Sequence, residues 1–386
     1  MKEFASIFSQ LLAIFSRAQF ETAVRRRDAE RGAKGFDCWT QFVAMLFCQL
    51  GRAHSLREIC GGLASVEGKL QHLGVGNAPA RSTLSYANAH RPAELFEDVF
   101  YSLLGRCQAL VGPRKFRFKN KLYSMDATVI DLCLSVFDWA KFRRAKGAIK
   151  LHLLLDHDGY LPTFCLMTEG RVHEINVARN LELPSGAVVV MDRGYVDYLW
   201  LDALDAQGVF FVTRLKENAL FSVEAQLSES KGNILADDII HLPGSGKSLN
   251  ADRVLRRVVV WDEVNEREIV LLTNNFKLAA STIAALYKER WQIELFFKAL
   301  KQNLKIKTFI GTSANAVRIQ IWTALIAILL LKYLQLRSHL KWSLSNLVAL
   351  LRLNLFVHRD LWKWVDEPFK PPRDQGVIVQ PVFDFA

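Results

Sequence analysis

The sequence contains no Cys-x-x-Cys pair, and no histidine pattern accompanies its six cysteines, at positions 38, 48, 60, 107, 133 and 165. This excludes a zinc-finger frame and argues against a disulfide scaffold; the thiols read as buried and reduced, as in a cytosolic protein. Proline is scarce, 10 in 386 residues, and four of the ten follow Asp366, so the tail reads as irregular. Long apolar runs are missing too. The longest covers 324–331, short of the roughly 20 residues a membrane span needs. Residues 4–15 are apolar but carry Ser6, Ser9 and Gln10 and lack a small-residue cleavage site. They predict an amphipathic helix in place of a signal peptide. Acidic residues are outnumbered 39 to 50, giving a net charge of +11 and a pI near 9.4. Such an excess points to a polyanionic partner, nucleic acid before membrane. Hydrophobic residues make up 51% of the chain, which excludes a disordered protein.

The most informative stretch is 287–305, YKERWQIELFFKALKQNLK. It has no Gly or Pro and predicts one helix. At about 100° per residue, Arg290, Glu294, Lys298, Lys301 and Lys305 fall within roughly 60° of Tyr287. Leu286, Ile293, Phe296, Phe297, Leu300 and Leu304 form a separate apolar face. A single carboxylate is thus set in a row of cations beside a phenol. Such a face is often merely solvated; it also suits a metal ligand among phosphate contacts.

Before residue 115 the apolar spacing is helical over 4–15, 39–50, 55–63 and 93–110, with a capping box at Ser55 and Glu58. The segment 78–92 presents Arg81, Ser82, Thr83, Ser85, Tyr86, Asn88 and His90, groups suited to phosphates and base edges and equally to an ordinary exposed helix. The patch at 25–34 reads as solvated, and 112–125 alternates cations with aromatics as a basic linker or edge strand would.

From 120 onward strands and helices alternate. Residues 122–125 form a short strand running into Asp126, and 148–155 and 161–168 pair across the turn at Asp156 to Gly159. A fully buried strand at 187–191 ends in Asp192, followed by a helix at 198–206 and a strand at 209–215. This order approaches a ribonuclease H-like α/β fold. If the two aspartate-bearing strands are neighbours, Asp126 and Asp192 meet at one sheet edge and Glu294 joins them from the helix. Three carboxylates together repel in low dielectric. Two Mg2+ ions about 4 Å apart, or Mn2+ in their place, would relieve this and polarise a phosphodiester. An isolated Asp at such a place is more often a turn former or helix cap.

Tyr287, Arg290, Glu294 and Lys301 are spaced Y-x2-R-x3-E-x6-K, and with D-A-T at Asp126 and D-R-G-Y at Asp192 they resemble the motifs of bacterial insertion-sequence DDE transposases, in the group called the insertion sequence four family. The resemblance covers most of 120–310. It implies an N-terminal helical DNA-binding domain over 1–115, a ribonuclease H-like core over 116–215, a β-rich insertion over 216–280, the carboxylate helix over 281–310 and a helical C-terminal region over 311–386. It also implies cut-and-paste transposition with Asp126, Asp192 and Glu294 as catalytic metal ligands. Double-stranded DNA, as transposon-end inverted repeats and as target, would be the partner, with a dimer in the synaptic complex, hairpin-ended intermediates and a cytoplasmic, nucleoid-associated location. Tyr287, Arg290, Lys298 and Lys301, with Arg193 and Arg214, are the expected DNA contacts. Thr273 and Asn274 are further candidate phosphate contacts. Trp261 suits core packing or stacking on an extruded base, as in some relatives.

Weaker candidates are Lys141, Arg143, Arg144 and Lys146, expected in a loop near the site, and Lys150, His152 and His173, expected in supporting roles. Two other readings fit the same residues: a DNA-binding remnant or regulator with a dead site, and another ribonuclease H-like nuclease such as a junction resolvase.

Overall fold

The computed structural model describes residues 5–66, 68, 70–111, 120–132, 141–143, 146–242, 253–304, 306 and 309–370. Most of the basic linker, Cys133, Arg144, Lys305 and the last proline-bearing stretch lie outside these residues.

Six helices come first: α1 (Ile7–Leu12), α2 (Arg17–Arg26), α3 (Cys38–Leu50), α4 (Leu56–Ala64), α5 (Arg81–His90) and α6 (Glu94–Leu110). Next come β1 (Leu122–Leu132), β2 (Lys141–Arg143), β3 (Lys146–Asp156), β4 (Leu161–Glu169), α7 (Glu174–Ala178), β5 (Val188–Met191), α8 (Tyr198–Ala206) and β6 (Phe210–Arg214). The strands β7 (Ser222–Gln226), β8 (Ile234–Leu242), β9 (Arg253–Asp262) and β10 (Arg267–Thr273) follow, then α9 (Ala280–Glu289) and α10 (Trp291–Asn303). The chain closes with α11 (Ala314–Arg337), α12 (Leu344–Asn354) and α13 (Leu361–Asp366). Two compact units result, 1–103 with 322–386, and 104–321.

The first unit is helical. Its centre is α3, nearly all buried, with Phe42 held between Phe15, Phe20 and Trp39. The expected cap of α4 forms: Ser55 Oγ accepts from the Glu58 N–H at 3.2 Å, and Glu58 reaches back to the His54 N–H at 2.9 Å. Helix α2, unforeseen in the sequence, starts at a Ser16 cap and puts Arg26 and Arg27 onto Asp98, each at 2.7 Å. On α5, Arg81, Ser82, Thr83, Ser85, Tyr86 and His90 are exposed as expected. Asn88 is not available to DNA: it is buried, and its Oδ1 accepts from Gln41 at 2.9 Å. Helix α11 lies in the region expected to be helical and extends beyond the apolar run of 324–331 on both sides. It is 24 residues long and contains an 18-residue window of mean hydropathy 1.8, enough by length and composition to cross a bilayer, but 83% of that window is buried inside the protein, the pattern of a core helix.

The second unit is built on a ten-stranded sheet ordered β2-β3-β1-β5-β6-β10-β9-β8-β7, with β4 also on β3. Strands β1, β5 and β6 run parallel, and the other pairs are antiparallel. Side chains alternate along each parallel strand. Val189, Met191 and Phe211 enter one core with Trp200, Leu201 and Leu204 of α8; Leu122, Val188, Val190 and Val212 enter the other with Ile283 and Leu286 of α9. Cover on both faces explains why 187–191 is an unbroken apolar run.

Several expectations need correction. Strand β1 does not stop before Asp126. It continues to Leu132 because β3 stays paired alongside it, while its other neighbour β5 ends at Met191. Lys141 and Arg143 form β2 and Lys146 opens β3, so this stretch is strand, not loop. The β-rich segment joins the core directly: β10 pairs with β6, so β7 to β10 extend the core sheet edge to edge. The predicted helix at 287–305 is two helices, α9 and α10, broken at Arg290. There the N–H of Arg290 bonds to the Tyr287 carbonyl and the N–H of Ile293 to the Arg290 carbonyl, i to i−3 steps that tighten the ladder without Gly or Pro. Its apolar face is as foreseen, since Leu286, Ile293, Phe296, Phe297, Leu300 and Leu304 are all buried.

Candidate active site

Strand parity and register assemble the site. Leu122 of β1, Val188 and Val190 of β5 and Val212 of β6 face α9. Side chains two or four residues further along these strands share that face, so Asp126, Asp192 and Arg214 do as well. Met125 is level with Met191 and Val190 with Val212. One step on from the first pair and two from the second, Asp126, Asp192 and Arg214 form a row at the carboxyl ends of the β5 and β6 pairings, where open α/β sheets bind ligands.

Helix α10 packs on β1, and the α9–α10 junction supplies the remaining groups. Arg290 reaches Glu294 with Nη2 to Oε1 at 2.5 Å and Asp126 with Nη1 to Oδ2 at 3.5 Å. Its guanidinium lies 5.8 Å from the Tyr287 ring centroid. Arg214 Nη2 meets Asp192 Oδ1 at 3.1 Å. Each carboxylate of the expected triad therefore faces an arginine. Among the described residues no three His, Cys, Asp or Glu side chains stand close enough to hold a metal ion.

The electrostatics nevertheless tie the three acids together. Burial pushes the Asp126 carboxyl up to about 6; Glu294 and Asp192 push the same way, against the Ala127 N–H and Arg290. Burial also raises the Tyr287 phenol, opposed by Arg290 and Arg214. Arg290 is held above its ordinary value: burial disfavours its charge, but Tyr287, Glu294 and Asp126 outweigh it. Three hard oxygen donors whose negative charges oppose one another suit a divalent cation in chemistry. In the structure Arg290 supplies the positive charge between two of them.

The remaining predicted residues separate. Lys301 Nζ donates to the Val129 carbonyl at 3.0 Å, joining α10 to β1 beyond Asp126. Lys298 is exposed on α10. Arg193 extends into solvent and pairs with Glu217 at 2.6 Å. Thr273 and Asn274 are not surface phosphate contacts. Both are buried: Thr273 Oγ1 donates to the Phe211 carbonyl, and Asn274 Oδ1 accepts the Phe211 N–H while Nδ2 reaches Asp205 and the Val209 carbonyl. Trp261 is 38% exposed, so it is not a core residue. It sits opposite Glu268 on the β9–β10 hairpin, past the Leu271–Arg214 pair, so this hairpin overhangs the carboxylate end of the sheet. Lys150 is buried against Glu174 at 3.0 Å and His152 bonds to Thr168 at 2.9 Å, both supporting the sheet, whereas His173 is exposed ahead of α7 and makes no cap bond to it.

Sequence reading missed Ser124, His157 and Glu289, which meet behind the row. It also missed the buried Arg256–Asp237 pair, 2.7 Å apart in β9 and β8. Asp156 to Gly159 reads as a turn, and nothing in that stretch signals that its histidine points inward.

Comparison with known proteins identifies the family. The family model described as "Transposase DDE domain" matches residues 117–330, more than half of the chain. Residues 4–76 match a domain of unknown function, DUF4372. A protein of Sinorhizobium fredii named as a transposase is 34% identical over 312 residues, covering 79% of this chain and 85% of that protein. A Geobacillus stearothermophilus protein named as a transposase of an insertion sequence element is 30% identical over 256 residues, 66% of this chain and 67% of its own. A solved piggyBac transposase synaptic complex with hairpin DNA overlaps 96% of this chain and 81% of its own, at 9% identity and a TM-score of 0.42, too loose a likeness to argue from. The family match over the row of carboxylates, together with these relatives, establishes that the chain belongs to the bacterial insertion-sequence DDE transposases and is a DNA transposase.

Proposed function

We propose that Asp126, Asp192 and Glu294 are the catalytic carboxylates of this transposase, on a ribonuclease H-like core. The observation that carries the assignment is the shared row: two aspartates on neighbouring parallel strands, with the glutamate brought to them by Arg290. The strand order β4-β3-β1-β5-β6, antiparallel through β1 and then parallel, supports the core assignment.

DDE transposases depend on a divalent metal. The three carboxylates would hold it, with Mg2+ the natural hard ion, Mn2+ a substitute and two ions the expected number, their four positive charges matching three acids and the scissile phosphate. When bound, the ions supply Lewis-acid polarisation of the attacking and leaving oxygens of a phosphodiester. The chain's own residues do the rest. Arg290 releases the carboxylates and turns to a phosphate, as a planar fork can. Tyr287 and Lys301 hold the neighbouring backbone of the transposon end, and Lys298, Arg193 and Arg214 extend the cationic surface. Water attacks phosphorus, the P–O3′ bond breaks and one proton of the water ends on the departing 3′ oxygen; the resulting hydroxyl then attacks a phosphorus of the opposite strand or a target duplex, giving up its proton and displacing the 3′ oxygen of that strand. Trp261, on the overhanging hairpin, is placed to stack on a base near the cut. Two ends are processed together, so a dimer forms on DNA.

The test uses labelled duplexes carrying the inverted repeats that flank the gene, incubated with Mg2+ or EDTA and resolved on a denaturing gel. Metal-dependent nicks at the repeat boundary, followed by joining to a second duplex, are expected. Binding without cutting would favour the DNA-binding remnant; cutting without joining would favour a resolvase-type nuclease.

Cleavage should also depend on pH in a definite direction. In an unfolded chain an Asp carboxyl titrates near 4, and Asp126 in the fold titrates at about 6. The folded protein holds this proton more tightly, so the contribution of Asp126 to stability is fullest below about 4 and lost as pH rises to about 6. For catalysis the sign reverses, because the proton competes with the cation. Single-turnover cleavage should fall roughly tenfold per unit as pH drops below about 6, and a flat profile from pH 5 to 8 would count against Asp126 as a ligand.

A further inference from the structure

A buried polar chain lies directly behind the row of acids. Ser124 is two residues before Asp126 on β1 and on the same strand face, with no exposed surface. Its Oγ is 2.6 Å from Nε2 of His157, itself 2% exposed, in the turn between β3 and β4. The Nδ1 of the same ring is 3.6 Å from Oε2 of Glu289, the last residue of α9 and the neighbour of Arg290. The His157 N–H also donates to the Leu122 carbonyl at 3.1 Å, which fixes the turn against the start of β1. Burial keeps the imidazole neutral, its pKa lowered to about 4. The Ser124 hydroxyl and Nε2 share one hydrogen bond, while Nδ1 and the Glu289 carboxylate are neighbours at a distance longer than a hydrogen bond.

We infer that His157 is a positioning residue for catalysis: hydrogen-bonded to Ser124 of β1 and set against Glu289 at the α9–α10 junction, it fixes where Arg290 and Glu294 stand relative to Asp126. The inference rests on the assignment of those acids as catalytic. Two features make the link more than core packing. Its ends are attached one and two residues from site groups. The junction it reaches is the break in the helix, where the backbone ladder switches to i to i−3 bonds. Sub-ångström placement matters here, since a misplacement of about 1 Å can cost about 100-fold in rate.

The test is made on the full chain with transposon-end DNA. Ser124→Ala removes one oxygen, and His157→Asn removes the ring. Each should lower single-turnover nicking by roughly 10- to 100-fold while end-binding affinity stays within about threefold of wild type, a tolerance below one factor of ten or 1.4 kcal/mol. Ser124→Thr keeps the hydroxyl and should restore most of the rate. Because Ser124 and Glu289 act through one imidazole, the double variant Ser124→Ala/Glu289→Gln should be no slower than the slower single one. Wild-type nicking by Ser124→Ala, rate losses that multiply in the double variant, or a fall in binding equal to the fall in rate would each overturn the inference. If His157→Asn fails to fold, the Ser124 series decides alone. Glu294→Gln serves as the control: nicking that survives it defeats the site assignment itself, whereas nicking lost in it but normal in Ser124→Ala defeats only the positioning role.

Discussion

Glu294→Gln is expected to lower DNA cleavage by at least about 10³-fold while leaving end binding within a few-fold. The amide keeps the length and shape of the side chain, and its remaining oxygen can still accept from Arg290, which now reaches Oε1 at 2.5 Å. What is lost is one negative charge out of three. A metal ligand contributes several kcal/mol to stabilising the charge that develops on a transferring phosphoryl group, and each 1.4 kcal/mol is a factor of ten in rate. On the proposed assignment binding depends on other groups: Tyr287, Arg290 and Lys301 remain, and removing an anion from a surface that meets phosphates does not weaken it. The two effects are therefore separable on one preparation, by a denaturing gel for nicks and a mobility shift for binding. Cleavage at the wild-type rate would remove Glu294 from the mechanism. Parallel losses of cleavage and binding would instead show that the substitution disturbed the Arg290 junction.

The parts of this site that were legible in the sequence share a physical origin. Strands buried on both faces must be apolar throughout, so 187–191 stood out and marked Asp192 where it ended. Helical spacing of large apolar residues marked the buried face of 286–304, and every member of it is buried. Local patterns of this kind need no knowledge of partners. The break at Arg290 was not legible because neither Gly nor Pro marks it; a tertiary contact of Arg290 with Asp126 accompanies it, beside the local i,i+4 pair with Glu294. The length of β1 was hidden for a similar reason, since pairing with β3 carries it past a charged residue to Leu132. Strands β7 and β8 were missed because β7 is exposed at every position and β8 interrupts its apolar residues with Asp237 and Asp238. Those aspartates are tolerable only because Arg256 and Arg257 lie across from them on β9, a fact of register that no single segment contains. Thr273 and Asn274 look like surface polar residues in sequence, yet they close the β6–β10 connection from inside.

That same β8–β9 pair carries the largest expected effect on stability. Arg256 and Asp237 are 2% and 1% exposed and meet bidentately, Nε to Oδ1 at 2.7 Å and Nη2 to Oδ2 at 2.9 Å. The third arm, Nη1, donates to the carbonyls of Asn275 and Leu278, just ahead of α9. Arg256→Ala would strand the Asp237 carboxylate with Ser228 as its side-chain donor and release both carbonyls. Removing one partner of a buried pair costs about 3–5 kcal/mol. At about 2–4 °C per kcal/mol for a unit of this size, the melting temperature of the sheet unit should fall by roughly 6–20 °C, readable by calorimetry. The double variant Arg256→Met/Asp237→Leu removes both charges at similar volume and should recover most of that loss, because an apolar replacement of a buried pair is close to neutral. It cannot recover the Nη1 bonds. If those bonds fix the loop from which α9 departs with Tyr287, the double variant will melt near wild type and still cleave more slowly. Equal recovery of stability and rate would confine Arg256 to the fold; stability restored without the rate would make this buried arginine part of what aims the site helices at the sheet.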